Sequence, residues 1–164
     1  MATWNSRGLR GSTLEDLINR TNEKYREQGL ALIQKVPTPI TPIKIDKEHR
    51  HITGAVQGIP VCFDAKECDT DTFPLQNIHA HQVEFMGDFE RQDGVSFLII
   101  LFAKRNELYF LPYKKMKEFW DRAEAGGRKS FRHDELDLSY VLAPHGGYLV
   151  PYLDGIQKVI DESG

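Results

Sequence analysis

Residues 59–67 read Ile59-Pro60-Val61-Cys62-Phe63-Asp64-Ala65-Lys66-Glu67, an apolar run followed by an acid and a lysine. Side chains of a strand alternate between its two faces, so Asp64 and Lys66 point the same way and lie close together. A carboxylate can hold Mg²⁺, and an ammonium beside it can orient the attacking water or neutralise charge on a phosphodiester transition state. The pattern therefore predicts a nuclease-type site at the end of a strand. The alternative interpretation is an ordinary surface ion pair.

The composition predicts one globular domain over residues 1–164, with 40% hydrophobic and 27% charged residues. The formal net charge is -3, so any surface for DNA must be a local concentration of basic side chains. Cys62 and Cys68 are too few for a disulfide framework and indicate free thiols in a reducing cytosol. No run approaches the roughly 18 apolar residues of a membrane span, and the N-terminus has no apolar signal core. These features predict a cytoplasmic protein that does not enter a membrane.

The first predicted helix covers residues 13–28 and follows a polar segment, residues 1–11, which is predicted to be a flexible basic arm. Ser12 and Glu15 have the spacing of a capping box, with Ser12 as the N-cap and Glu15 at the third helical position. Glu15 thus has two interpretations, a helix-capping residue or an acid of a metal site.

The rest of the chain alternates between strands and helices. Strands are predicted at 30–36, 95–102 and 108–111, an extended stretch at 43–45, and helices at 75–91, 114–125 and 153–161. Gly54 and Gly58 bracket a predicted hairpin that leads into the strand of Asp64. The basic segment 128–132 either contacts phosphates or is a solvated loop. This order of elements predicts an α/β domain with a mixed β-sheet flanked by helices.

Gln82 is a polar residue in an apolar helical stripe. The stripe is formed by Ile78, Gln82, Phe85, Met86 and Phe89. Because buried polar groups need partners, Gln82 makes either a hydrogen bond within the core or an amide contact with the site of Asp64 and Lys66.

Several segments together resemble the RecU family of Holliday junction resolvases. The matching segments, in family order, are Arg10-Gly11, Thr13 to Asn19, Thr21-Asn22, Lys35 with Pro37-Thr38-Pro39, Phe63 to Glu67, Phe73 to Asn77 with His79, His81 and Gln82, Phe119 to Arg122, and Gly127 to Ser130. The resemblance implies a restriction-endonuclease-like core and a homodimer. It also implies dependence on Mg²⁺, with Mn²⁺ as a substitute, and cutting of four-way DNA junctions in recombination and repair.

The resemblance assigns roles to individual residues. Asp64 matches a metal-ligand acid, where many members carry Glu, and Lys66 matches the catalytic lysine. Gln82 matches a position that contributes to the metal site, and Glu15 is a further catalytic candidate. The expected contacts to the DNA backbone are Arg7, Arg10, Lys35, Thr38, Arg128 and Lys129.

The chain departs from the family pattern just before Gly54. Family members carry a second metal-binding aspartate and a protruding stalk there, whereas here the position three before Gly54 is His51 and the stalk is absent. A lone Asp64 is a poor Mg²⁺ site because this ion prefers several oxygen ligands, so Glu15 or Asp46 would have to compensate. Two hypotheses follow: a Mg²⁺-dependent, structure-selective endonuclease, and a non-catalytic junction-binding module of the same fold.

Overall fold

The structure is a computed structural model that describes residues 13–37 and 50–164. Its α-helices are α1 (Leu14–Glu27), α2 (Ala80–Arg91), α3 (Tyr113–Glu124) and α4 (Tyr152–Ser163). Its strands are β1 (Leu32–Pro37), β2 (Arg50–Val56), β3 (Ile59–Cys68), β4 (Thr72–Pro74), β5 (Val95–Phe102), β6 (Glu107–Pro112), β7 (Ser130–Arg132) and β8 (Val141–Leu142). A 3-10 turn over Leu75–Asn77 precedes α2.

Six of the strands in these two ranges form one mixed sheet in the order β1-β2-β3-β5-β6-β8. β3 and β5 are parallel, with α2 in the crossover between them, and the other neighbours run antiparallel. β5 is almost wholly buried and lies inside the sheet, as its unbroken apolar run predicts. β4 and β7 form a separate two-stranded sheet. The predicted α/β class, a mixed sheet flanked by helices, is confirmed.

Helices cover both faces of the main sheet. α2 packs on the face that carries Asp64, where Ser96 Oγ of β5 donates a hydrogen bond to the carbonyl of Met86 at 2.9 Å. α4 packs on the other face, where the Tyr152 ring lies 5.0 Å from that of Phe63. α1 contacts α4 on this second face, and α3 contacts α2 on the first. β3 is therefore held from both sides, and Asp64 follows directly on the fully buried Phe63.

The start of α1 differs from its prediction. Thr13 caps the helix, because its Oγ1 accepts a hydrogen bond from the Asp16 backbone N–H at 3.2 Å, and Ser12 lies outside the described residues. Glu15 is thus the second helical residue rather than the third, and the predicted capping box is wrong. Serine and threonine are both favoured N-cap residues, with serine the somewhat better of the two. Only the extended backbone of Thr13, with φ -72 and ψ 158, distinguishes these neighbouring candidates.

Three other elements also differ from their predicted form. The helix predicted over 75–91 is divided into the 3-10 turn and α2, because His79 adopts an extended conformation and caps α2. The C-terminal helix is longer than the predicted 153–161. The basic segment 128–132 is not a loop throughout, since its second half is strand β7, in which Phe131 is fully buried.

β2 and β3 form the predicted hairpin, with Gln57–Gly58 in its turn. Its ladder is continuous, since Thr53 pairs with Cys62 and Gly54 pairs with Val61. Thr53 and Gly54 are therefore consecutive residues of one strand, and nothing is inserted between them.

Some predictions fall on residues outside the described ranges, namely the arm at 1–11, the extended stretch at 43–45 and the possible compensating acid Asp46. β1 includes Pro37, one residue beyond the predicted end at Val36, and the residues that follow Pro37 lie outside the described ranges. Across residues 13–37 and 50–164, no helix is long and apolar enough to cross a membrane.

Neither cysteine forms a disulfide, as predicted, and the structure shows that both side chains are buried. Burial, with a smaller contribution from the Asp64 carboxylate, raises the pKa of the Cys62 thiol to about 12. The Cys62 thiol is therefore protonated at neutral pH and acts as a small apolar side chain beneath Asp64.

Candidate active site

A cavity of about 950 Å³ opens beside the C-terminal half of β3. Three parts of the chain form its walls: α1, the strands β1 to β3, and the corner that precedes α2. Its lining includes Glu15, Lys35, Asp64, Lys66, Gln76 and Asn77. The cavity thus brings together the acids and lysines that the sequence singled out on α1, β1 and β3.

Asp64 is held by three hydrogen-bond donors. Its Oδ1 accepts from the Ala65 backbone N–H at 2.8 Å, and its Oδ2 accepts from Gln82 Nε2 at 2.8 Å and from Lys66 Nζ at 2.9 Å. The Asp64 and Lys66 side chains are only 15% and 16% exposed. This pair is therefore largely shielded from solvent and differs from the alternative, an ordinary surface ion pair.

Gln82 connects Asp64 to the start of α2. Its side chain lies on the buried face of α2 and is 1% exposed. Gln82 Oε1 accepts a hydrogen bond from the His79 backbone N–H at 3.1 Å, which leaves the amide nitrogen to donate to Asp64. Both interpretations of Gln82 therefore hold at once, because it caps a helix in the core and contacts the site. The oxygen that a metal ion would need is the one bound to His79 N–H.

Glu15 and Lys35 form an ion pair at the mouth of the cavity. The Glu15 side chain is 61% exposed and projects from the first turn of α1 toward β1. The candidate catalytic acid and the candidate phosphate-binding lysine thus neutralise each other in this structure.

The other predicted DNA contacts lie apart from the cavity or outside the described residues. Arg128 and Lys129 are exposed and precede β7, and the Lys129 carbonyl accepts the Leu75 backbone N–H at 3.0 Å. Arg132 forms an ion pair with Asp134 at 3.2 Å. Arg7, Arg10 and Thr38 belong to the parts of the chain that the structure does not describe.

Amide side chains in the cavity wall are not predicted by the sequence patterns. Gln76 and Asn77 lie on the corner before α2, and Asn19 and Asn22 lie on α1. The segment Phe73 to Asn77 is part of the family resemblance, but neither its composition nor its spacing indicates a role. Only the fold reveals that these amides share a cavity with Asp64.

The side chains that line the cavity offer only a few ligands for a metal ion. In the described part of the chain, no three His, Cys, Asp or Glu side chains converge on one point. Asp64 offers a fixed carboxylate, and Glu15 offers a second carboxylate in the same cavity. Mg²⁺ commonly binds one or two carboxylates and completes its shell with waters and substrate phosphates. These oxygen donors therefore fit a hard cation that water and DNA help to hold.

Comparisons with known proteins identify a family and several relatives of this chain. The model of the family described as Recombination protein U matches residues 9–158. The chain is 37% identical to the Holliday junction resolvase RecU of Pediococcus pentosaceus over 176 aligned positions, which cover 94% of this chain and 86% of that protein. It is 36% identical to the RecU of Listeria innocua, with 93% and 83% covered, and 38% identical to that of Geobacillus kaustophilus, with 78% and 72% covered.

The alignment with the Pediococcus protein is longer than this chain. Its 176 positions exceed the 164 residues of this chain, so the Pediococcus protein contains internal residues that have no counterpart here. A family match over most of the length and relatives above one-third identity, together with the Asp64–Lys66 pair, establish that the chain belongs to the RecU family of recombination proteins.

Proposed function

We propose that this chain is a metal-dependent, structure-selective endonuclease that resolves four-way DNA junctions. The observation that carries the proposal is Asp64, held by Lys66 and Gln82 and facing an open cavity, in a chain whose relatives are named Holliday junction resolvases. The arrangement provides a fixed anion next to a fixed cation. Such a pair suits phosphodiester hydrolysis, because the anion can hold a divalent cation and the ammonium can stabilise charge on the transition state.

Asp64 and Lys66 divide the chemistry between them. Lys66 Nζ, 2.9 Å from Asp64, can donate to a non-bridging oxygen of the scissile phosphate and stabilise the charge that develops there. Asp64 and, once released, Glu15 would hold the divalent cation, for which Mg²⁺ is our choice and Mn²⁺ a substitute with similar ligands. When bound, such a cation supplies Lewis-acid activation and lowers the pKa of a coordinated water.

Lys35 provides a way for DNA to release Glu15. A backbone phosphate that binds Lys35 competes directly with the Glu15 carboxylate, because both are anions that need the same ammonium group. The freed Glu15 side chain remains within the cavity that Asp64 lines. DNA binding and completion of the metal site are thus coupled in this proposal.

The proposed DNA-binding surface combines Lys35 with Arg128 and Lys129. It also includes Arg7, Arg10 and Thr38, which lie outside the described residues. With a net charge of -3, binding depends on this patch, doubled in the homodimer that we propose. A two-fold dimer presents two cavities to opposed strands of a junction.

Each neutralised phosphate contributes roughly 0.9 to the log–log salt slope on duplex DNA. Replacing Arg128 and Lys129 by alanine should therefore flatten the slope, and an unchanged slope would remove them from the surface.

The decisive experiment compares the wild-type chain with Asp64→Asn on a labelled four-way junction in the presence of Mg²⁺. We expect the wild type to cut opposed strands and the variant to cut neither, while junction binding changes only a few-fold because the lost charge serves the cation rather than DNA. Wild-type protein that binds junctions without cutting them would favour the non-catalytic module. Cleavage by Asp64→Asn near the wild-type rate would remove Asp64 from the site. Since branched DNA is the substrate, we place the protein in the cytoplasm.

A further inference from the structure

The corner between β4 and α2 presents two amides to the cavity. Leu75 and Ile78 are buried and anchor the two ends of this corner in the core. Gln76 is exposed and Asn77 is half-buried between them, and both line the cavity that contains Asp64. The 3-10 turn brings positions three apart onto one face, so burying residues 75 and 78 directs the two intervening residues outward.

The corner is a fixed platform. β4 pairs with β7, and the Phe73 and Phe131 rings stack at 5.0 Å. The Leu75 N–H donates to the Lys129 carbonyl at 3.0 Å, and the Ile78 N–H donates to the Leu75 carbonyl at 2.9 Å. The positions of the two amides are therefore set by the fold before any ligand arrives, as recognition requires.

The same corner is linked to the reacting groups. Its C-terminal end is His79, whose backbone N–H donates to Gln82 Oε1 at 3.1 Å. Gln82 in turn donates to Asp64 at 2.8 Å. A ligand that binds Gln76 and Asn77 thus contacts an element that also sets the orientation of the Asp64 carboxylate.

Amide side chains can hydrogen-bond to phosphates or to base edges, but only a contact with a base edge carries sequence information. Phosphate contacts position a protein on DNA and are supplied here by lysines such as Lys35 and Lys66, whereas base edges carry the sequence information. Asn and Gln side chains each offer a donor and an acceptor that match a base edge, most clearly that of adenine. Across residues 13–37 and 50–164, neither the Gln76 nor the Asn77 amide has a protein hydrogen-bond partner, so both are available to DNA.

We propose that Gln76 and Asn77 read the bases beside the scissile phosphate and give this enzyme its cleavage-sequence preference. This inference rests on the proposed function. Because the platform is joined to Asp64 through Gln82, a matching base holds the carboxylate in place, and a mismatched base leaves it less well aligned.

The test uses a pool of four-way junctions in which the base pairs around the crossover are randomised. Cut products and protein-bound junctions are both sequenced for the wild type, Gln76→Ala and Asn77→Ala. A good amide–base pair discriminates by about tenfold. We therefore expect each variant to lose about a tenfold preference at one position, whatever its total rate. Gln92→Ala, at the exposed C-cap of α2 and outside the cavity lining, should keep the wild-type profile.

The outcomes separate this inference from the proposed function. Evenly distributed wild-type cuts, or variants that slow down with an unchanged profile, would overturn base reading by Gln76 and Asn77. If the wild type cuts nothing, the proposed function fails. Base reading is then judged on the bound pool: an enrichment that each variant loses at one position supports it, and an absent or unchanged enrichment overturns it.

Discussion

Replacing Gln82 with methionine removes two buried hydrogen bonds at nearly constant volume. The bond to the Asp64 carboxylate, 2.8 Å long, belongs to the charged class that contributes about 1.5–3 kcal/mol. The capping bond to His79 N–H, 3.1 Å long, contributes about 1 kcal/mol. We expect Gln82→Met to lower the free energy of unfolding by about 3 kcal/mol, or Tm by about 6–12 °C for a chain of this size. Since Gln82 orients Asp64, cleavage or metal affinity should also fall by about 10–100-fold.

Gln82→Glu separates the two roles of this side chain. A glutamate keeps the oxygen that accepts the His79 N–H, but it loses the amide donor and places a second carboxylate against Asp64. We therefore expect Gln82→Glu to cleave as poorly as Gln82→Met. Thermal melts followed by circular dichroism and junction cleavage across a Mg²⁺ titration measure both effects, and Gln92→Met serves as the exposed control.

Two results would refute this reasoning. If Gln82→Met melts and cleaves like the wild type, the two hydrogen bonds contribute nothing measurable. If Gln82→Glu cleaves at the wild-type rate or needs less Mg²⁺, then Gln82 acts through its oxygen as a metal ligand, and its role as a donor to Asp64 is wrong.

Three further predictions concern other parts of the fold. Lys66→Ala should abolish cleavage yet keep the wild-type far-UV circular dichroism, because Asp64 retains its other donors; an unfolded variant would make Lys66 structural. Gly155→Ala would place a Cβ 2.3 Å from Cδ2 of the fully buried Phe110, so it should cost about 1–3 kcal/mol, and an unshifted urea midpoint would contradict the packing. Because burial raises the pKa of the Cys62 thiol to about 12, iodoacetamide at pH 8 should alkylate Cys62 only in urea, and peptide masses showing labelling of the native protein would disprove its burial.

Features that depend on local periodicity are predictable from the sequence. The two-residue period of a strand is enough to place Asp64 and Lys66 on one face. The apolar run of β5 marks it as a central strand, and the 3.6-residue stripe of α2 places Gln82 on the buried face. In each case the residue pattern lies within a few consecutive turns of a helix or residues of a strand, so the sequence alone is enough to predict the feature.

Features that depend on contacts between distant segments are not predictable in this way. The basic residues around Phe131 indicate a loop, but this side chain is buried because it stacks on Phe73 and on Phe119. The break before α2 has no glycine or proline inside it and follows from the extended backbone of His79. The pairing of Glu15 with Lys35 requires α1 to lie against β1, which no local pattern specifies.

In the described ladders, β3 pairs with β5 from Val61 to Cys68, whereas its pairing with β2 is confined to its first half, and this difference has a consequence for how the protein folds. The first half, Ile59–Phe63, pairs with β2 through a hairpin, which closes only a short loop. Within the described ladders, the second half, from Asp64 to Cys68, pairs only with β5, about thirty residues further along the chain. Loop-closure entropy makes such non-local pairing slow to form. We therefore expect the half that carries Asp64 and Lys66 to become ordered after the hairpin and to show less protection from amide hydrogen exchange in the native state.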